Sequence, residues 1–265
     1  MSDAPPRRTV GIIGGSGVTG LLGDRARASH AVATPWGAPS APVEEGRVGD
    51  VRLLFLPRHG PGHTIPPHRV NYRANVDALR ALGADAIVTV SSVGSLREEL
   101  PPGTFVLPRQ FVDFTKQRPT TFFDGGKVYH VSLADPFCAD LAARALAAGA
   151  ATETPFADGK TYVCVEGPRF STRAESAMFR QFADIIGMTL VPEVTLARER
   201  GICYLCLAMV TDFDVWADRP VDAHEIVATM HRNVDRMQRL LADLIPRLAA
   251  PPTCACRTAL DAAGV

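Results

Sequence analysis

The chain has 265 residues, 46% hydrophobic and 21% charged, with Lys plus Arg and Asp plus Glu balanced at 28 each. That length suits one large domain with a sizeable core, and the charge balance excludes a generalised surface for nucleic acid or membrane, so cationic chemistry has to be local. No apolar run approaches a membrane span, and MSDAPPRRTV at the N-terminus has no apolar signal core behind its two arginines, so a cytoplasmic location is expected.

In chain order, short apolar runs read as strands at Val10–Ile13, Leu53–Leu56, Ala86–Val90, Phe105–Leu107, Tyr162–Val165 and Ile202–Val210. Helices read between them. Asn71 to Leu82 puts Val76, Leu79 and Leu82 on one stripe, with Gly83 as a stop. Thr172 and Glu175 make a capping box that opens a helix through Phe182. Pro192 begins PEVTLARERG, with Gly201 past its end. Asp222 with Glu225 opens a last helix in which Ile226, Met230, Val234, Met237, Leu240 and Leu241 recur at helical spacing.

This alternation predicts an α/β fold: a single domain over residues 1–250, with a mixed, largely parallel twisted β-sheet flanked by helices. Residues 251–265 read as a surface tail carrying Cys254-Ala255-Cys256 behind Pro251 and Pro252. Cys138, Cys164, Cys203 and Cys206 lie in apolar surroundings and read as buried thiols. The tail pair is expected as reduced, solvent-facing thiols, because a reducing cytoplasm opposes a persistent disulfide.

Ligands in such sheets bind beyond the carboxyl ends of strands, and the polar clusters fall there. Gly14-Gly15-Ser16-Gly17 follows the first strand and reads as a phosphate loop with Ser16 as hydroxyl donor, or as a plain tight turn. A dinucleotide fingerprint fits less well, since no acidic residue ends an adjoining second strand as that motif requires. Arg58 and His59 follow the second strand and Ser91 to Ser95 the third. A planar guanidinium with hydroxyls, amides and nearby glycine is what an oxyanion needs, although Arg58 alone also reads as a surface arginine. His59, His63 and His68 suggest zinc until Gly60, Pro61, Gly62, Pro66 and Pro67 exclude the helix that would face them together, so no metal site is expected. Phe170, before the capped helix, reads on its own as a hydrophobic staple. Asp212 and Asp214 leave the apolar strand GICYLCLAMV, where an unpaired charge is costly. They read as loop or N-cap carboxylates, or as carboxyls poised for a ligand.

In this order the motifs GIIGGSG, TPWGAPSAP, RHGPGHTIPPHRVNY, SSVGSLREE, EGPRFSTRAE, GMTLVPEVTLARERGI and TDFDVW cover nearly the whole chain. They resemble the trimeric purine nucleoside phosphorylases, most closely the 5'-methylthioadenosine phosphorylases among them. The resemblance implies a nucleoside phosphorylase-like fold and cleavage of methylthioadenosine to adenine and 5-methylthioribose 1-phosphate. Inorganic phosphate is then the co-substrate, with no cofactor. It implies that Arg58 and His59 grip phosphate, that Ser91 and Ser92 close over it, and that Thr189 lies near phosphate and the 3'-hydroxyl. Phe170 stacks on the purine beside Ser171, and Met188, in the segment with Ile186, faces the sugar. His63 and the apolar helix start around Ile226 lie toward the ribose 5'-end.

Within the resemblance, Asp212 donates to purine N7 as the catalytic group, while Asp214 accepts from an exocyclic amine. Relatives acting on 6-oxopurines carry Asn at the first of these positions, so Asp212 points to adenine. Gly187 departs from the closest relatives, which carry Asn there, and keeps a 6-oxopurine or methylthioinosine phosphorylase as the alternative. A non-catalytic purine-binding regulator is a further alternative, but it has no use for Arg58 with Ser16 and Ser91. The family assembly implies a homotrimer, or a hexamer as a dimer of trimers. A neighbour's segment like Tyr129 to Phe137 would complete each 5'-pocket through His130. Phe122, Phe123 and Phe137 suit that interface, or pack into the chain's own core. The Cys254/Cys256 pair resembles the CxC tail of some archaeal relatives, where it is linked to disulfides.

Overall fold

The computed structural model describes residues 8–15, 18, 22, 26–217, 223–261, 263 and 264, and only the backbone of 223–227, 230 and 232. Strands β1 (Arg8–Gly14), β4 (Val51–Pro57), β5 (Ala86–Ser95) and β9 (Cys203–Asp212) are buried along most of their length. Helices cover both faces, so these strands carry near-continuous apolar runs rather than alternation, which is why they are visible in the sequence. The others are β2 (Ala26–His30), β3 (Val43–Val48), β6 (Phe105–Phe114), β7 (Phe156–Val165) and β8 (Ile185–Gly187).

They form one nine-stranded mixed sheet in the order β2-β3-β4-β1-β5-β8-β7-β6-β9, with β5 also paired to β9. That extra pairing closes β5, β8, β7, β6 and β9 into a ring, while β2, β3, β4 and β1 remain an open wing. The central pairs β1–β4, β1–β5 and β5–β9 are parallel, and so are β6–β7 and β7–β8. The sheet turns antiparallel at β2–β3, β3–β4, β5–β8 and β6–β9.

Two large cores lie on its faces, and a smaller one gathers Leu96, Val163, Phe179, Ala183 and Ile186. Of the large ones, one gathers Ile13, Leu54, Leu56 and Ile87 under α1 (Tyr72–Ala81) and α4 (Glu193–Glu199). The other gathers Val10, Ile12, Val88, Leu205 and Leu207 under α2 (Ala139–Ala151) and α5 (Ala223–Arg247). Local signals start the helices as expected. Asn71 caps α1, accepting from the Ala74 N–H at 3.1 Å, and Thr172 and Glu175 form the full capping box of α3 (Arg173–Phe179). That helix stops at Phe179 rather than Phe182. The Asp222 cap lies outside the described residues.

Two expectations need correction, and one helix escaped the sequence pattern. Phe122 and Phe137 pack into the chain's own core at 6% exposure each, Phe122 5.4 Å from the Trp36 ring and Phe137 6.2 Å from Tyr204. Half-buried Phe123 stacks on Tyr129 at 4.1 Å. The tail thiols do not face solvent: Cys256 is buried and Cys254 half-buried, both against the core under α2 and α5. The tail folds back because it finds partners, Arg257 donating to Asp85 at 2.6 Å and Gly264 bridging to Tyr129. Finally, α2 was not foreseen, since its run ADLAARALAAGAA has too few large apolar residues to mark a stripe. Among the described residues, no helix is long and apolar enough to cross a membrane.

Candidate active site

A cavity of about 530 Å³ opens where β1, β4, β5, β7 and β9 end. Gly15 follows β1, Arg58 and His59 follow β4, Ser91 to Gly94 form the end of β5, and Thr211 and Asp212 close β9; all line the space. Parallel pairing of β4, β1, β5 and β9 is what brings their carboxyl ends to one side.

One end of the cavity is lined by a buried cation and hydroxyls. Arg58 is 2% exposed, far from a surface arginine, and its Nε and Nη2 donate to the two oxygens of Glu193 at 3.0 Å each, with Nη1 to the Val90 carbonyl at 3.3 Å. Those bonds use three of the five N–H groups of a guanidinium. Glu193 is itself fully buried, also accepts from the Tyr204 hydroxyl at 2.8 Å, and opens α4 directly after Pro192. A buried arginine is thus paired and aimed rather than left as an isolated cation.

His59 hydrogen-bonds through Nδ1 to the Ile65 carbonyl at 2.8 Å, which makes Nδ1 the donor and Nε2 an acceptor. Burial, then the neighbouring Arg58 charge, pulls its pKa down to about 4, so the ring is neutral near pH 7. His63 stacks on it at 4.2 Å and also lines the cavity. Ser91 and Thr189 meet hydroxyl to hydroxyl at 3.3 Å, both buried, and Ser92 lies alongside.

Four residues along β5 from Val90, where Gly94 pairs with Asp212, the cavity carries carboxyls. Asp212 Oδ1 accepts from the Thr211 hydroxyl at 2.7 Å and Oδ2 from the Asp214 N–H at 2.9 Å. Burial raises its pKa above the ordinary aspartate value. Asp214 is raised too, by burial first and by the Asp212 charge in addition, and its Oδ2 is buried without a hydrogen-bond partner. Gly94, paired with Asp212 across β5 and β9, makes room for the carboxyl: a Cβ there would lie 3.0 Å from Asp212 Oδ2. Phe170, 41% exposed, lines the cavity with Ser171, whose buried hydroxyl has no partner. An open aromatic face and unmet polar atoms beside two carboxyls suit a flat, polar-edged ligand.

Apolar Val90, Val93, Val165, Ile186, Met188 and Met209 also line the wall. Gly187 has a packing cause here. A Cβ on it would lie 1.9 Å from the Tyr162 hydroxyl, so the buried tyrosine occupies the space of any side chain at 187.

The structure therefore gathers Arg58, His59, His63, Ser91, Ser92, Phe170, Ser171, Ile186, Met188, Thr189, Asp212 and Asp214 around one space. Ser16 lies outside the described residues, as does the side chain of Ile226. His130 is exposed and absent from this cavity, its N–H bonded to the Ala263 carbonyl at 2.8 Å. Sequence reasoning missed Glu193, Tyr204, Thr211, Gly94 and Tyr162. A carboxylate directly after Pro192 in an otherwise apolar segment was the available signal for Glu193, whereas Tyr162 looks like any strand residue.

Residues 9–246 match the model of the Phosphorylase superfamily. The S-methyl-5'-thioadenosine phosphorylase of Pyrococcus horikoshii is 51% identical over 251 residues, spanning 95% of this chain and 97% of that protein. A solved methylthioadenosine phosphorylase from an antarctic soil metagenomic library superposes with a TM-score of 0.91 at 43% identity, covering 100% of this chain and 93% of the other. The methylthioadenosine phosphorylase of Schistosoma mansoni in complex with adenine gives 0.91 at 37% identity and 96% coverage of each chain. A likeness that runs through every strand framing the cavity makes this chain a member of the phosphorylase superfamily.

Proposed function

We propose that this protein cleaves the N-glycosidic bond of 5'-methylthioadenosine with inorganic phosphate, giving adenine and 5-methylthioribose 1-phosphate, a step of purine and methionine salvage. The observation that carries the reading is Asp212: a buried carboxyl with a raised pKa, lining the same cavity as Arg58. Phosphate is the co-substrate and no further cofactor is invoked.

In this reading the remaining N–H groups of Arg58, with the hydroxyls of Ser91, Ser92 and Thr189, hold the phosphate dianion. A phosphate oxygen bonds to C1' as the C1'–N9 bond breaks, and the bond's electron pair passes to the purine. Positive charge builds on the ribose against the phosphate, and negative charge on the base. Asp212 gives its proton to N7. The phosphate hydroxyl, which can donate to the unprotonated Nε2 of His59, loses its proton as the ester forms, and that proton restores Asp212. Net, one proton moves from phosphate to adenine. Asp214 accepts from the 6-amino group, and Phe170 stacks on the ring.

The relatives' adenine-based names agree with the Asp212 argument. The apparent conflict at Gly187 is accounted for by Tyr162 packing, without reference to the base. The reading includes a homotrimeric or hexameric assembly in the cytoplasm. Its test is product analysis with methylthioadenosine, methylthioinosine, adenosine and inosine, with and without phosphate. Strictly phosphate-dependent release of adenine is expected. Cleavage without phosphate, or preferred release of hypoxanthine, would overturn it.

A further inference from the structure

Far from the cavity, four cysteines converge from three separate parts of the chain. Cys138 is the N-cap residue of α2, Cys203 the first residue of β9, and Cys254 and Cys256 come from the C-terminal tail. All four Sγ atoms lie within 4.8 Å of one another. We propose that Cys138, Cys203, Cys254 and Cys256 form a closed tetrathiolate site for a structural zinc ion.

The dimensions fit. Zinc–sulfur bonds of about 2.3 Å in a tetrahedron put the sulfurs about 3.8 Å apart, so the group needs only small rotations to close on an ion. Cys203 and Cys254 stand at 3.3 Å. All six cysteines of the chain are free, and the other two, Cys164 and Cys206, are fully buried and outside the group. Four sulfurs clustered within mutual reach are a ligand set, not two pairs set apart.

A cation stands beside the group. Arg198 reaches Cys256 Sγ at 3.6 Å with Nη1, and its buried Nε has no partner. A zinc ion with four thiolates carries a net double negative charge, which this guanidinium offsets in part. The frame is stiff: the Cys138 N–H bonds the Tyr204 carbonyl at 2.9 Å, and the Cys203 N–H bonds the Asp85 carbonyl at 3.1 Å. Half-buried Cys254 leaves the site an entrance.

The role is structural because Cys203 and Asp212 sit at opposite ends of β9, about 30 Å apart at strand rise. The ion would tie the tail to α2 and β9, adding to contacts such as Thr253 donating to Asp140 at 3.2 Å and Arg257 donating to Asp85 at 2.6 Å. That tail holds the segment Tyr129–His130 through the Gly264 bridge and the Ala263 carbonyl, so the site steadies a loop well removed in sequence.

The test uses the full chain purified under reducing conditions without added chelator. Metal analysis should return about one zinc per chain. Stepwise mercurial modification of the thiols, followed with a colorimetric zinc indicator, should release it. Replacement by cobalt(II) should give the intense sulfur-to-cobalt charge-transfer and visible d–d bands of a tetrahedral thiolate site. The Cys254→Ser/Cys256→Ser variant should lose those bands and bind the metal at least tenfold more weakly. Cobalt titration of the unmodified chain keeps the test open should that variant fold poorly. Reduced protein that binds neither zinc nor cobalt overturns the proposal. So do disulfide-linked peptides joining these cysteines in protein alkylated before lysis.

Discussion

The Tyr162 hydroxyl fills the place a side chain at residue 187 would take, 1.9 Å from where a Cβ on Gly187 would stand. The two positions are therefore one packing decision shared between β7 and β8. Gly187→Asn should destabilise the protein by about 3 kcal/mol or more, at the upper end of overpacking costs. Shortening the tyrosine as well, in Tyr162→Ala/Gly187→Asn, should recover about 1–3 kcal/mol relative to the sum of the single variants. Denaturant midpoints of the four proteins measure the coupling. A Gly187→Asn protein as stable as the parent would mean that the glycine answers to the ligand instead.

Arg58 and Glu193 form a similar unit with electrostatic stakes. Removing the guanidinium strands a fully buried carboxylate, so Arg58→Ala should cost about 3–5 kcal/mol of stability. That loss would hide any effect on phosphate. Arg58→Lys is the cleaner variant, since it keeps the charge and loses the fork. Its phosphate KM should rise about tenfold, the worth of one charge-assisted contact of about 1.5 kcal/mol, with methylthioadenosine binding little changed. An unaltered phosphate KM would take Arg58 out of the anion site.

These two pairs show where the sequence was legible. The strands β1, β4, β5 and β9 announce themselves because burial on both faces makes them apolar throughout, and the site residues sit at their ends, so topology alone locates Arg58, Ser91 and Asp212. Exposed β2 and three-residue β8 carry no such pattern, and neither does the alanine-rich α2. Glu193, Tyr162 and the cysteine group were hidden for another reason. Each works through a partner remote in sequence, Glu193 being 135 residues from Arg58, and only the closed fold brings those partners together. The tail misled because two prolines before a CxC suggest extension, whereas Arg257 and Gly264 find partners on the body.

Asp212 should govern both specificity and alkaline pH dependence. Asp212→Asn should move preference from adenine toward hypoxanthine nucleosides and lower turnover on methylthioadenosine. Burial raises the carboxyl's pKa, so its proton is held to a higher pH than usual and is lost as pH rises. Activity that needs that proton declines on the alkaline side, and the amide variant should lack that limb. The linkage has the same sign: the folded state binds the extra proton, so this group's contribution to stability falls as pH rises from about 3.8 through the raised value. An unchanged nucleoside ratio in the variant would remove Asp212 from base recognition.

His59 has the opposite sign. Its folded pKa of about 4 lies below the ordinary 6.5, so the unfolded chain takes up the proton first. Its contribution to stability is intact above pH 6.5 and declines as pH falls toward 4. The difference in unfolding free energy between the parent and His59→Gln should slope across that window. A flat difference would mean that the fold leaves the ring's pKa where the unfolded chain has it, and an opposite slope that the fold holds it protonated.

The last expectation concerns assembly. His130 is exposed, and its segment is held by Ala263 and Gly264 rather than by the cavity. Within one chain it reaches nothing that the substrate touches. Among the described residues, the cavity offers His63 and Pro67 near the end where the 5'-group is expected, and these cover only part of a small apolar methylthio group. A neighbouring copy presenting His130 would supply the missing wall, so the active species should be a homotrimer or a dimer of trimers. Sedimentation at assay concentration should find that species. His130→Ala, which alters no contact of this chain's own cavity, should raise the KM for methylthioadenosine several-fold while changing adenosine less. Kinetics with the two substrates separate this from a general loss of activity, which would move both alike. A fully active monomer would sink the shared pocket, and so would a variant whose preference for the methylthio group is untouched.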